Sequence, residues 1–374
     1  MAEHFDNSKK VNIKRIVAIL IFIIAIAAIV VTVVLNNQKP AQDSVNNTEN
    51  TVENTTLEPV KPPKVDVVDI ESKTRPLAVV VNNTPVAVKV QTGLNKAYMV
   101  YEMPTEGGTC RLMALYKDAG NVTVGTIRSA RHNFIDWAYE SDAIFTCYGW
   151  SHYAQDQMQK QGIVNYINGL VSEGGMYRKN PENLASEHTA YLDTDKVYES
   201  ATKKGYKVES DDSILLKYNV EDVDLSEKED VKNADKKVVI SYDGSSNVTT
   251  FKYNKETKMY ERYVTKNETL CKDHETGEVV STKNIIIEKI NVSTASDGKY
   301  LELKTTGSGK GWYITNGKAV PIKWSKSSRK AKTKYTYEDG TEIEVSDGRT
   351  YIEVLPTSRT EKIEGTEVEE TTAE

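Results

Sequence analysis

Between Ile16 and Leu35 the chain runs for 20 residues without a charge, and Thr32 is the single polar side chain among them. At a rise of about 1.5 Å per residue, a helix of that length matches a hydrocarbon layer of about 30 Å, so the run predicts one membrane span. Ala25-Ile26-Ala27 has the small-x-small form of a cleavage site, but the apolar run continues eight residues beyond it instead of turning polar. No cysteine precedes Cys110. The attachment is therefore read as a helix anchor and not as a lipidated cysteine.

The flanks orient this span. Lys9, Lys10, Lys14 and Arg15 crowd its N-terminal side, whereas the first cation beyond it is Lys39, which keeps residues 1–15 in the cytoplasm and places everything after Leu35 outside. Four Lys/Arg and two Asp/Glu fall within residues 1–35, leaving 44 cations against 52 anions for the exported part. An acidic body of this kind argues against a nucleic-acid partner and against anionic polymers bound over a broad surface; one cationic pocket stays compatible with it.

Residues 36–73 are rich in Asn, Thr, Gln, Glu, Pro and Lys with no apolar periodicity, the composition of a disordered tether. From 74 to 210 strand and helix signals alternate. Leu77–Val81, Tyr98–Met103, Leu112–Tyr116, Val122–Ile127 and Ala143–Cys147 read as strands, and Ser129, Ser151 and Asp193 stand where they would cap helices over 131–139, 152–161 and 194–204. Residues 211–237 are acidic and poor in apolar side chains, as in an interdomain connection. From 238 to 356 short strands such as Asn284–Ile290 and Thr350–Leu355 alternate with Asp-Gly and Asn-Gly turns, and residues 357–374 read as an acidic disordered tail. The fold class is α+β: an N-terminal transmembrane helix, a mixed α/β N-terminal domain and a predominantly β C-terminal domain.

Most motifs fail on inspection. Gly307-Ser308-Gly309-Lys310-Gly311 lacks the earlier glycine and the Ser/Thr after Lys that a phosphate loop needs, and reads as a glycine turn between strands. Gly149-Trp150-Ser151-His152-Tyr153 lacks the closing glycine of a nucleophile elbow. His132, His152, His188 and His274 show no metal-ligand spacing, and there is no CxxC, so no metal or cofactor is called for. Three cysteines, Cys110, Cys147 and Cys271, leave at least one unpaired; Cys110 and Cys147 are either a bridge or two buried thiols.

One stretch stands out. Glu102, Glu106-Gly107-Gly108 and Arg111 are followed by Arg128-Ser129-Ala130-Arg131 and Asp136. Two arginines entering a helix N-terminus beside flexible glycines and carboxylates suit a phosphate or carboxylate ligand. The same residue types also suit a buried ion-pair network pinning strand to helix.

Arg75-Pro76 through Asn82, Gly93-Leu94, Tyr101-Glu102, Glu106-Gly107-Gly108, Arg111 and Arg128-Ser129-Ala130-Arg131 resemble the YerB-like bacterial lipoprotein family, a family of unknown function with distinct N- and C-terminal parts. Asp273 with Gly277, Asn284, Gly307-Ser308-Gly309 and Trp324 resemble its C-terminal part, so the likeness spans about residues 74–356. The resemblance adds His188, which matches a family histidine after a loop. The chain departs from the pattern at His132, where Pro is common, at Gly149–His152, where the family turn is richer in glycine, and in lacking the lipid-acceptor cysteine.

These readings predict a single-pass, membrane-anchored extracytoplasmic protein. Its N-terminal domain is expected to bind an anionic or glycan ligand, a cell-wall component or an envelope protein through Glu102, Glu106, Arg111, Arg128, Ser129, Arg131 and His188. The alternative is a hydrolase or transferase acting on a wall or lipid-linked substrate, with Glu106 or Asp136 as acid or base; arginines beside a carboxylate oppose the raised pKa such a role needs.

Overall fold

In the computed structural model, residues 64–243 and 247–367 are described. The anchor at 16–35 and most of the tether lie outside them; among the described residues no helix is long and apolar enough to cross a membrane. The described residues form one compact unit that is mostly β with a few short helices.

Its centre is an 11-stranded sheet, and strands from both halves of the chain build it. From one edge run Lys232–Asn233, Lys318–Lys326, Gly307–Thr315, Asn284–Ile290 and Thr350–Pro356; then come Met99–Thr105, Thr109–Tyr116, Leu77–Asn82, Ile144–Cys147 and Tyr166–Asn168, and the eleventh strand, Lys334–Thr336, pairs with part of Lys318–Lys326. The halves meet where Met99–Thr105 pairs in parallel with Thr350–Pro356, Val100 opposite Tyr351 and Glu102 opposite Glu353. The segments expected as an α/β domain and a β domain thus share one sheet.

The middle strands carry near-continuous apolar runs because both of their faces are covered. Along Leu77–Asn82 the alternation is visible residue by residue: Ala78 and Val80 join the core under the helix Phe134–Glu140, with Phe134, Ile135 and Trp137. Leu77, Val79 and Val81 face the opposite layer. That layer holds the helix Thr194–Lys203, through Val197 and Ala201, and a second sheet of six strands, through Val238, Ile240 and Phe251.

Several expectations are corrected. The last stretch of the expected tether belongs to the body: Val65 and Val68 are buried, and the Asp66 and Val67 amides donate to the Asp347 carboxylate at 2.7 and 3.0 Å. In the stretch expected as a connection, Leu216 and Leu225 are buried in the core and Lys217–Asn219 pairs in parallel with Glu344–Ser346. Past Pro356, where no element was expected, Thr360–Glu364 pairs with Lys237–Ser241. The glycine run 307–311 lies inside a strand; a Cβ at Gly309 would stand 2.7 Å from the Lys289 carbonyl oxygen.

The residues that carried the family likeness in the C-terminal half act as clamps. Asp273 accepts from the Thr92 hydroxyl at 2.9 Å and from the Gly93 amide at 2.6 Å, tying the halves together. Asn284 donates to the Ser346 carbonyl at 2.8 Å, and the Trp324 indole to the Lys289 carbonyl at 2.9 Å.

Candidate functional site

Met99–Thr105 and Thr109–Tyr116 form a hairpin whose turn is Glu106-Gly107-Gly108, with φ of 72° and 68° at the two glycines. That left-handed backbone suits glycine and brings Glu106 back over the hairpin end, near Arg111, which is opposite Met103 in the register. Arg128–Arg131 runs beside Tyr148–Ser151: the Tyr148 amide donates to the Arg128 carbonyl at 3.0 Å and the Ala130 amide to the Gly149 carbonyl at 2.9 Å. Two local pairings therefore deliver one carboxylate and the guanidinium groups of Arg111 and Arg131 to the same place.

Arg131 grips Glu106 in two-pronged fashion. Its Nε–H donates to Oε2 at 2.8 Å and its Nη2 contacts Oε1. Arg111 Nη2 stands 3.9 Å from the same Oε1, while its Nη1 donates to the Ser129 carbonyl. Arg128 donates through Nη1 to the Glu187 carbonyl at 3.0 Å, and its buried Nε has no partner. The Ser129 hydroxyl donates to the Tyr148 carbonyl at 3.1 Å.

The electrostatics reflect this surplus of cations. Burial, reinforced by the repulsion of Arg131, lowers the Arg111 pKa to about 9. Burial opposes ionisation of Glu106 too, but the hydrogen bonds and charges of Arg131 and Arg111 outweigh it and hold the carboxyl below its ordinary range. At the rim, His188 Nδ1 lies 2.8 Å from Asn82 Nδ2; burial and the Arg128 charge keep the imidazole below its ordinary pKa, hence neutral near pH 7.

The expected helix over 131–139 begins instead at Phe134 and has seven residues, because Arg131–Asn133 form a turn that precedes it. Ser129 caps nothing, whereas Ser151 accepts from the Ala154 amide at 3.2 Å as a cap should. The cluster thus rests on side chains and not on a helix end.

Glu102 does not join it. That residue is fully buried and bound to equally buried Arg262 at 2.7 Å, with Asn83 at 2.9 Å and the Thr249 hydroxyl at 2.8 Å completing its oxygens. Asp136 also lies apart, with one oxygen held by Arg329 at 2.6 Å and the other by the Thr305 hydroxyl at 2.5 Å.

Sequence reasoning left out the other neighbours. Tyr300 lies under the Arg131 guanidinium, 5.1 Å from its ring centre, and His132 meets Glu302 at 3.0 Å. Both contacts come from a hairpin about 170 residues downstream, and no local signal announces them. A cleft of about 280 Å³ opens beside Gly107 and Gly108, lined also by Tyr242, Asn247, Ser293 and Arg359. A larger one, about 630 Å³, lies elsewhere, where Lys332 is already paired with Asp212. All three cysteines are free and buried, and among the described residues no group of three or more metal-ligating side chains is found.

Two family descriptions match the chain in tandem. "Protein of unknown function (DUF3048) N-terminal domain" covers residues 65–207, and "Protein of unknown function (DUF3048) C-terminal domain" covers 238–352. The Bacillus subtilis (strain 168) protein named "Putative lipoprotein YerB" is 30% identical over 287 residues, which is 75% of this chain and 81% of that one. The crystal structure of the YerB protein from Bacillus subtilis matches with a TM-score of 0.66 at 27% identity, covering 78% of this chain and 94% of the other.

Proposed function

This chain belongs to the YerB-like family of DUF3048 proteins, whose activity is unknown, and from that premise we propose that it is a membrane-attached, extracytoplasmic envelope protein that binds an anionic ligand through Arg111, Arg128 and Arg131. The carrying observation is the charge imbalance: Arg111 and Arg131 both face the one carboxylate in contact with them, Glu106, while the charge of Arg128, turned to the Glu187 carbonyl, is still felt at Arg111. Attachment is supported by the apolar run at 16–35 and by the lipoprotein name of the relative. An enzymatic reading gains nothing from Glu106, which is held ionised, or from Asp136, whose two oxygens are already bound.

The test uses residues 62–374, whose described part forms one compact unit. Inorganic phosphate should raise the melting temperature in proportion to its occupancy, and Arg128→Ala should remove that shift while the protein stays folded. No stabilisation up to high phosphate would retire the site and direct attention to a protein partner. Fractionation of cells producing the full chain checks attachment: recovery in the soluble fraction would refute the anchor.

A further inference from the structure

The arginine cluster has an aromatic neighbour, and the backbone explains why. Ala130 bridges Trp150 in parallel, and the Ser151 amide donates to the Ala130 carbonyl at 3.0 Å, so Arg131-His132 and His152-Tyr153 leave the paired segments side by side. The hairpin formed by Val292–Thr294 and Leu301–Leu303 folds over them. It is fixed by Asn133, which donates to the Leu301 carbonyl at 2.7 Å and accepts from the Leu303 amide at 3.1 Å.

Four rings gather there. His132 and Tyr153 are 5.0 Å apart, His152 and Tyr153 4.0 Å, His152 and Tyr300 5.5 Å, and Tyr153 and Tyr300 6.1 Å with their planes at 81°, so the two tyrosines form a corner. His132 is buried at the base; Tyr153 and Tyr300 are half-buried, and His152 is exposed. Polar groups edge the shelf: the Tyr153 hydroxyl meets the Ser296 hydroxyl at 2.9 Å, and the Asp297 carboxylate lies 3.8 Å from His152 Nε2. Arg131 stands over Tyr300 and holds Glu106, so the shelf and the cation cluster share a residue.

This juxtaposition selects a kind of ligand. A bare anion uses the guanidinium groups and leaves the rings idle, and an apolar ligand does the reverse. A sugar ring packs its C–H face on an aromatic surface and directs its hydroxyls to acceptors at the edge, and an acidic substituent on it would reach the arginines. We propose that the ligand is an anionic sugar, a pyranose bearing a phosphate or carboxylate, with its ring packed in the corner between Tyr153 and Tyr300 and its charge on the arginine cluster. The inference rests on the anion-binding reading above and narrows its ligand class.

The experiment measures the affinity of residues 62–374 for four probes: inorganic phosphate, glucose 6-phosphate, glucuronate and glucose. At least one acidic sugar should bind about tenfold tighter than inorganic phosphate, and which one does so decides between phosphate and carboxylate. Glucose alone should bind weakest. The ratio of acidic sugar to phosphate affinity should collapse towards one in Tyr153→Ala and in Tyr300→Ala; Tyr300→Phe, which keeps the ring, should preserve it. If an alanine variant fails to fold, the ring signals of His152 in the unsubstituted protein serve instead: they should shift with the acidic sugar and not with inorganic phosphate.

Phosphate bound at least as tightly as both acidic sugars would overturn the sugar and leave the anion site standing. Glucose bound as tightly as the acidic sugars would overturn the shared ligand. No binding of any anion would overturn both readings together.

Discussion

Glu102 and Glu106 are four residues apart on the same hairpin, and each is paired with an arginine, yet the two pairs are built differently. Glu102 and Arg262 are both fully buried, matched one to one, and supplemented by Asn83 and Thr249 until the carboxylate is saturated. They join residues 160 positions apart, one from each family segment. Glu106 keeps 21% of its side chain exposed and faces more cations than it can neutralise. Stoichiometry and access to water, not residue type, separate a pin from a receptive surface.

The sharpest way to break this comparison is at the pin. Arg262→Ala leaves the Glu102 carboxylate buried without its cation, and the expected loss is about 3–5 kcal/mol of unfolding free energy, read from the denaturant midpoint. Replacing both members, Glu102→Gln with Arg262→Met, should recover part of that loss, because no charge then remains to be desolvated. A loss below about 1 kcal/mol for Arg262→Ala, the range of surface pairs, would show that water reaches Glu102 and that the two pairs differ less than their burial implies.

A third acid sharpens the contrast, since it is buried with no arginine bound to it. Glu288 accepts from the Tyr335 hydroxyl at 2.8 Å, its other oxygen has no partner, and burial, with the neighbouring Glu140 charge adding to it, raises its pKa to about 7. A carboxyl whose pKa is higher folded than unfolded stabilises the fold while protonated, so its contribution is complete below about pH 4.5 and is lost as pH rises to about 7. Glu353, also raised by burial and by Glu102, acts in the same direction. Stability should therefore fall across this window, with about 3 kcal/mol of the change belonging to Glu288. Glu288→Gln should flatten the profile by that amount; an unchanged slope would mean that the acid is ionised in place, served by Lys326.

How much of this was legible in the sequence depends on how far each contact reaches along the chain. Asn284–Ile290 is found where its β-branched run predicts it, and Leu77–Val81 gains only Asn82. Glu106, Arg111, Ser129 and Arg131 come together because a hairpin and one neighbouring segment suffice to assemble them. Glu102 looked equivalent to Glu106 because nothing near it identifies Arg262 as its partner. The shared sheet was hidden for the same reason: Met99–Thr105 meets Thr350–Pro356 across some 250 residues, and each strand reads equally well as part of a separate domain. Tyr300 came from a hairpin that the sequence marks only by Asp297-Gly298, and aromatic residues are common in strands without any ligand.

The smallest expected effect discriminates most finely. Glu106→Gln keeps the shape and a hydrogen-bonding oxygen for Arg131 but removes the one negative charge in contact with the cluster. If the pair were a pin like Glu102 and Arg262, the substitution would cost stability and change nothing else. The cost should be about 1–3 kcal/mol, below that of the pin, because Glu106 itself reaches water although Arg111 and Arg131 are buried. A ligand anion, however, now meets the arginines without a carboxylate among them. Removing a like charge roughly one residue's width away should tighten inorganic phosphate by about tenfold, or about 1.4 kcal/mol. The gain should shrink as salt is added, since the removed repulsion is screened in the same way. Phosphate affinity that stays level while stability falls by more than about 3 kcal/mol would place Glu106 with Glu102 and leave the arginines without a free ligand to hold.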